Sequence, residues 1–456
     1  MPIPTVKGYA LSFHDHAPRE RITLVAGYVE ASWPMAWAAP SKREKRGGLY
    51  RPYRPDPLVG RPLLMPAGIA EEAAAVERFV RRLIAHPAGH GIDGLARFLL
   101  RSEAIASSRI EGLQASPQQV ALAELADQDT GVSKGFTATA RLVANNVTAL
   151  RHAVTDLVTV DAVSVARIIA LHQALLPEER HHGLREVQNW VGGSEWHPLD
   201  AEFVPPPPED VPSLLEDLSS YMNGAEHAAI VQAALVHAQF ETIHPFTDGN
   251  GRVGRALIHT VLTRRGLTPS AILPISLVLL TRSDEYVSGL MAYRYAGDST
   301  SAEAQAAVGA WLRTFLAATR TAAEQAEKFA DELSRLHEEW VERHHRFRES
   351  QGLRAAPRSD SAVARLLDLL PAVPVVTART VERLLAVTHP AARQALEELA
   401  GAGILHPKQV ERNARGYLAR EVFDLLTLTE RRLASTRWDT RDSAPRRVVP
   451  ARPQRD

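Results

Sequence analysis

The stretch His244-Pro245-Phe246-Thr247-Asp248-Gly249-Asn250-Gly251-Arg252-Val253-Gly254-Arg255 constrains this chain more than any other. A helix-compatible run from Ile230 to Ile243 enters it, and an apolar-faced run from Val253 to Leu262 leaves it. It is therefore a short turn between two helices. Asn250, Gly251 and Arg252 fall where the second helix begins, where free backbone N–H groups and the helix dipole attract anions. Glycines let a backbone come close to a phosphate and form a nest of donors. Arg252 and Arg255 lie three apart, so both lean toward the same helix end. Asp248 is a hard oxygen ligand suited to Mg²⁺ carried on a polyphosphate. His244 titrates near neutral pH and is the natural proton acceptor. The residues describe a nucleotide-phosphate cradle with a base at its lip.

Three rival readings use the same residues. Gly249-Asn250-Gly251-Arg252-Val253-Gly254 matches GxGxxG, but a dinucleotide fold needs a strand before it, and VQAALVHAQFETI reads as helix. His237, Glu241 and His244 share a helical face, but their order is not HExxH and no further zinc ligand follows. An ordinary helical hairpin with charged ends explains any one of these residues and does not explain the set.

HPFTDGNGRVGR resembles the Fic motif, HPFx(D/E)GNGRxxR, at every defined position. The resemblance implies an AMP-transferase that uses ATP and Mg²⁺ to modify a hydroxyl of a target protein. By position, His244 resembles the base and Asp248 the Mg²⁺ ligand. Gly249, Asn250 and Gly251 resemble the anion hole around the α- and β-phosphates. Arg252 resembles the β-phosphate contact and Arg255 the γ-phosphate contact. A second run, EAIASSRIEGL, places Ser107, Glu111 and Gly112 at the end of a predicted helix. By itself it reads as a surface glutamate beside a cap glycine. It resembles the family's inhibitory motif, in which the glutamate pairs with the last arginine of the Fic motif, here Arg255. An arginine held by a carboxylate cannot hold a γ-phosphate. Because this motif precedes the core, the chain resembles the N-terminally inhibited class, some members of which also remove AMP.

Composition sets bounds on the rest. With 456 residues the chain holds two or three domains. Lys+Arg and Asp+Glu are 53 each, so net charge points to no polyanionic partner. Cysteine is absent, which excludes a disulfide framework and suits the cytosol. The first twenty residues lack a signal pattern, and the apolar run Ala271 to Leu280 is too short to span a bilayer. The expectation is a soluble cytoplasmic protein with no membrane contact.

In chain order, residues 1–68 show little periodicity, and SKREKRGGLYRPYRPDP reads as an exposed basic loop. Helices are expected from Ala70, from about Leu95 after a break at HPAGHGID, and through Thr137 to Leu176, where His172 reads as a packing or capping residue. GLREVQNWVGGSEWHPLDAEFVPPPP reads as a β-hairpin followed by a polyproline arm. It resembles the Fic flap, which aligns a target segment by strand pairing. Gln188, Asn189 and Trp190 match its QNW pattern, and Phe203 to Pro208 match its FVPPPP run. Tyr286, Leu290 and Tyr293 are read either as flanking adenine or as core, and the run Thr281 to Asp284 is less basic and aromatic than the family's. Ala302 to Glu349 reads as long helices.

The last domain has the winged-helix pattern. Helices SAVARLLDLL, TARTVERLLA (N-cap Thr377) and HPAARQALEELAGAG (N-cap Thr388) precede two strands and a basic wing. Its modest basic excess allows DNA binding, with Arg393 as a contact, or a protein contact.

The expected fold class is mainly α: a Fic-type helical bundle with a small β-hairpin flap, plus a C-terminal winged helix. The expected domains are 1–130 (N-terminal, with the inhibitory helix), 131–350 (Fic catalytic), 360–434 (winged helix) and 435–456 (disordered tail). The expected partners are ATP and a target protein, this chain itself among the candidates. DNA is a further partner open to the C-terminal domain, and a homodimer is left open. Three alternatives stand beside AMP transfer: a DNA-binding regulator with a nucleotide-sensing Fic domain, transfer of another phosphate-containing group, and de-AMPylation.

Overall fold

The computed structural model describes residues 25–85, 92–129, 131–411 and 414–436. The first 24 residues, most of the HPAGHGID break and the tail beyond 436 lie outside them. Four short strands, β1 (Gly27–Tyr28), β2 (Ala31–Trp33), β3 (Gly48–Tyr50) and β4 (Tyr53–Arg54), form two antiparallel pairs, β1–β4 and β2–β3. Helices follow: α1 (Ile69–Ala85), α2 (Ile92–Ile110), α3 (Pro117–Gln128), α4 (Ala138–Thr159), α5 (Val165–Leu175), α6 (Val211–Asn223), α7 (Ala229–Ile243), α8 (Asn250–Arg264), α9 (Ile275–Thr281), α10 (Ser283–Tyr293) and α11 (Ala302–Ser350). The C-terminal part holds α12 (Ala362–Leu369), β5 (Val375–Thr377), α13 (Ala378–Leu385), α14 (His389–Gly401), β6 (His406–Glu411), β7 (Ala414–Leu418) and α15 (Arg420–Thr436). The mainly helical expectation holds. Among the described residues no helix is long and apolar enough to cross a membrane.

The hairpin α7–α8 is the centre of the bundle. Every residue of α7 is buried, as are Asn250 to Leu262 of α8. A helix buried on all sides can only be an axial one, and each of its buried Leu, Ile or Val side chains contributes roughly 1.5–3 kcal/mol. Gly254 lets the two helices approach: a Cβ there would sit 2.7 Å from Glu241 Oε1 and 3.0 Å from the Phe240 ring. The helix α2 is fixed to the same centre by Glu103, which is 1% exposed. Its carboxylate accepts from Ser276 N (2.7 Å) and Ser276 Oγ (2.5 Å) and bonds His259 Nε2 (2.8 Å).

Four expectations need adjusting. The segment read as an exposed basic loop is exposed only in its first half. Tyr53 and Asp56 are buried, with Tyr53 Oη donating to Tyr295 O (2.7 Å) and Asp56 Oδ1 accepting from Ala26 N (2.7 Å). The expected hairpin in the 183–208 arm is reduced to one antiparallel bridge, Val191 to Phe203. Gly192 and Gly193, at φ 76° and 74°, turn the chain out of extended conformation directly after Val191. The region 302–350 is one helix of 49 residues, roughly 70 Å long. The segment 420–436 adds a helix after the strands, and this helix includes the first two residues expected in the tail.

The C-terminal sheet has order β5-β7-β6, antiparallel throughout, with Val376 opposite Tyr417. Its apolar side shares a small core with α3: Leu122 and Leu125 meet Val375, Val410, Leu418 and Phe423. Thr377 Oγ1 also donates to Asp129 Oδ2 (2.6 Å) at the end of α3.

Candidate active site

The turn after α7 is built by two left-handed residues. His244 ends α7 at φ 50°, ψ 59°, its N–H donating to Phe240 O (2.9 Å). Gly249 precedes α8 at φ 79°; a Cβ there would meet Leu175 and Leu176 at 3.1–3.2 Å. Asn250 braces the turn, its Oδ1 accepting from Phe246 N (2.9 Å) and its Nδ2 donating to Phe246 O (2.8 Å). Its side chain is thereby committed internally, leaving its backbone N–H for the helix start. His172 stacks on Phe246 at 3.9 Å and bonds Asp248 O through Nε2 (2.9 Å), the packing role its sequence context suggests. Gly249 has no side chain to cap α8, so the first-turn N–H groups face the cleft with no internal acceptor from that position.

Above this turn lies a cleft of about 1100 Å³ including its open mouth. His244, Asp248, Gly249, Asn250, Gly251, Arg252 and Arg255 all line it, together with Glu111. The structure thus gathers the motif and the distant glutamate in one place. His244 is pushed down to about pKa 3, first by burial and then by the Arg185 charge, so its imidazole is neutral at pH 7. Its Nδ1 lies 3.4 Å from Glu241 O, an arrangement that assigns the proton to Nδ1 and the lone pair to Nε2.

The two arginines differ sharply. Arg255, 1% exposed, has a partner at each of its three nitrogens, Nη1 reaching only Tyr286 Oη at 3.5 Å. Its Nε donates to Ser107 Oγ (2.9 Å) and its Nη2 to Ser107 O (2.8 Å) and Glu111 Oε1 (2.7 Å). Burial opposes its charge and is the largest single influence, but Glu111, Tyr286 and Glu241 together outweigh it and raise the pKa. Arg252 is 3% exposed, and its Nε and Nη1 have no hydrogen-bond partner. Its Nη2 stands 3.7 Å from Asp248 Oδ1, and burial lowers its pKa. The glutamate also crowds the helix start: a Cβ on Gly251 would lie 2.0 Å from Glu111 Oε1. Gly112, at φ 80°, ends α2 and turns the chain away beyond Glu111.

The flap residues Gln188, Asn189 and Trp190 are buried and point inward. Asn189 Nδ2 donates to His244 O (3.2 Å) and Phe246 O (3.1 Å). Gln188 Nε2 donates to Pro205 O (3.0 Å), and Trp190 Nε1 to Ser194 O (2.7 Å). Asn189 thus holds the flap on the turn after α7, Gln188 and Trp190 brace the flap internally, and the flap lines the cleft with Val191, Glu202 and Phe203. Tyr286 and Leu290 line the cleft, whereas Tyr293 lies in the core, its Oη donating to Gln239 (3.1 Å).

Sequence reasoning missed two cleft residues. Glu241 was weighed only as part of a metal set; among the described residues no three His, Cys, Asp or Glu side chains gather to hold a metal. Burial instead raises the Glu241 carboxyl to about 7, and its Oε1 has no partner. Its spacing of three before His244 was the available signal. Arg294 lies over the Phe203 ring at 3.2 Å, and nothing in its local sequence marked it.

Residues 162–262 match the model of the Fic/DOC family, and residues 88–155 match that of the Fic/DOC family N-terminal region. A probable protein adenylyltransferase of Aquifex aeolicus is 43% identical over 68 residues, which is 15% of this chain and 21% of that protein. The protein adenylyltransferase fic-1 of Caenorhabditis elegans is 33% identical over 135 residues, 28% of this chain and 24% of that one. The protein adenylyltransferase Fic of Drosophila melanogaster is 34% identical over 118 residues, 24% of this chain and 22% of the relative. The chain thus spans less than a quarter of the length of each of these relatives. Among solved structures, a Fic family protein from Desulfovibrio desulfuricans aligns over 78% of this chain and 97% of its own, at 20% identity and TM-score 0.46.

Proposed function

From a chain that belongs to the Fic/DOC family over residues 88–155 and 162–262, we infer a protein adenylyltransferase that restrains itself through Glu111. The observation that carries this is the contrast between the two buried arginines. Arg252, which lines the cleft, keeps two buried donors without a partner, and Arg255 is occupied by Ser107 and Glu111. A buried cation with idle donors suits an anion that arrives later. A triphosphate bound at the start of α8 would meet the backbone N–H groups, Arg252 and, once Glu111 withdraws, Arg255.

The chemistry is a displacement at phosphorus. The hydroxyl oxygen of the target attacks the α-phosphorus of ATP, and the bond from that phosphorus to the bridging oxygen of the β-phosphate breaks. Pyrophosphate leaves, and the hydroxyl proton passes to His244 Nε2. Burial and nearby cations keep His244 neutral beforehand. The first turn of α8 and the arginines stabilise charge on the phosphates. Asp248, half-exposed at the cleft with Oδ1 3.7 Å from Arg252 Nη2, has the hard oxygen that would hold Mg²⁺. When bound, that ion neutralises polyphosphate charge. Gln188, Asn189 and Trp190 act by holding the flap, leaving backbone near Val191 to pair with a target segment.

The test is incubation of the protein and its Glu111→Gly variant with α-labelled ATP and a cell lysate. The expected result is protein-bound label that rises in the variant and is absent when His244→Ala is added. Equal label in all three proteins removes the mechanism.

We read residues 360–434 as a winged-helix unit, supported by three helices followed by the β6–β7 hairpin. In that reading α14 is the helix presented to a DNA major groove, Arg393 being exposed on it beside Glu397. Band shifts of the full chain on duplex DNA at several salt concentrations test it; absence of salt-dependent retention removes it.

A further inference from the structure

Arg185, at the head of the flap, enters the chemistry above only through the effect of its charge on His244, and its surroundings are unusual for a buried cation. It is 3% exposed. Each acceptor its side chain reaches is a backbone carbonyl: His244 O from Nε (2.8 Å), Val187 O from Nη1 (3.1 Å), and Pro206 O (2.6 Å) and Ile243 O (3.3 Å) from Nη2. Its own backbone N–H donates to Pro245 O (2.9 Å). Burying a guanidinium without a hydrogen-bonded carboxylate is unfavourable. Two of the carbonyls, Ile243 and His244, end α7, where unpaired C=O groups and the negative end of the helix dipole favour a cation. The other two lie on the flap and on the polyproline arm.

His244 needs such a partner. Only His244 and Ala386 among the described non-glycine residues have positive φ, a region where a Cβ crowds its own backbone. A base held there keeps its orientation only if its neighbours over-determine it. The His244 carbonyl accepts from Arg185 Nε and from Asn189 Nδ2, and the next carbonyl accepts from the Arg185 backbone. The ring side offers much less: Nδ1 lies 3.4 Å from Glu241 O and 3.9 Å from Glu241 Oε2.

We propose that Arg185 is a positioning residue for His244. It clamps the left-handed turn so that the imidazole keeps Nδ1 toward Glu241 and Nε2 toward the cleft, and it joins the flap to the base so that the two move together. This rests on the reading of His244 as the proton acceptor. A residue that merely sealed the flap would alter stability and target affinity without altering the state of the imidazole.

The experiment uses full-length protein with ¹⁵N-labelled histidine, in the Glu111→Gly background, comparing Arg185, Arg185→Gln and Arg185→Lys. Thermal unfolding and affinity for a non-hydrolysable ATP analogue establish that each variant is folded with its cradle intact. The ring ¹⁵N shifts report which nitrogen of His244 carries the proton. With Arg185 present, His244 is expected as one tautomer; in Arg185→Gln the two tautomers mix. AMP transfer in that variant is expected to show kcat about a hundredfold lower with KM for ATP unchanged, the size of effect that a small misplacement of a reacting group produces. Arg185→Lys, which keeps one donor for the His244 carbonyl, is expected to recover part of both signals. A folded Arg185→Gln protein that keeps the single tautomer overturns the proposal. If label transfer is absent from every protein while the tautomer still changes, adenylyl transfer fails and the clamp stands.

Discussion

The C-terminal helices α12 to α14 and the hairpin α7–α8 begin in opposite ways. Helices α12, α13 and α14 each start under a side chain, Ser361, Thr377 and Thr388, that accepts the N–H three residues on. Helices α7 and α8 start at Ala228 and Gly249 with no side-chain cap, and left-handed residues lie at both ends of the turn between them. Among the described residues, every buried side-chain atom without a partner lies at or before Arg294, and Glu241, Thr247, Arg252 and Arg294 are at or beside the cleft. Where folding is the only demand, local preferences are satisfied. Where a ligand must be met, buried donors are left idle. Asn250 shows both demands in one residue, its side chain closing the turn while its N–H starts the helix.

The contrast can be broken experimentally, and His244→Ala should have the largest effect. It is expected to lower AMP transfer in the Glu111→Gly background by about a thousandfold, within the range for loss of a positioned base. Initial rates with labelled ATP check this, and a loss under tenfold would count against the assignment.

Next comes Glu241. Its folded pKa, about 7, is raised from 4.5 by burial. The folded state therefore holds the proton more tightly, so its contribution to stability is full below 4.5 and is lost as pH rises through 7. Glu241→Gln should be more stable than the parent by about 2 kcal/mol at pH 8, the difference shrinking toward pH 5. His244 has the opposite sign, its pKa being depressed from 6.5 to about 3. Its contribution is present above 6.5 and is lost as pH falls toward 3. Urea unfolding across pH 5–8 separates the two, and a pH-independent difference for Glu241→Gln would refute its raised pKa.

Arg252→Met should weaken ATP binding about tenfold, as expected for loss of a charge-assisted contact, and leave the ligand-free melting temperature unchanged or higher. Thr377→Ala should do the reverse. It loses a helix cap for about 1 kcal/mol of stability, and ATP affinity stays as it was. Calorimetry of both variants sharpens the comparison; a large melting loss in Arg252→Met would mean that its donors are not idle.

How much of this was legible in the sequence followed chain distance. His244 to Arg255 and Ser107 to Gly112 lie in short contiguous runs, so spacing alone placed them on helix ends. Thr377 and Thr388 were legible because a cap and its helix are neighbours. Glu103 was not, since Ser276 and His259 meet it only after the bundle closes. The same holds for Arg294 on Phe203 and for Arg185 on the carbonyls of α7. Tyr53 and Asp56 read as loop because Tyr295, which buries them, lies 239 or more residues away. The Gly192-Gly193 pair gave no warning, because two successive left-handed glycines also suit a tight hairpin turn.

The central claim is that one carboxylate decides whether the second motif arginine can hold a phosphate. Titration calorimetry of ATP and of AMP into the wild-type protein and Glu111→Gly tests it most directly. The account predicts that removing the carboxylate tightens ATP binding at least about tenfold more than AMP binding, because only ATP reaches Arg255 with its terminal phosphate. An equal gain for both nucleotides, or none for either, would contradict it.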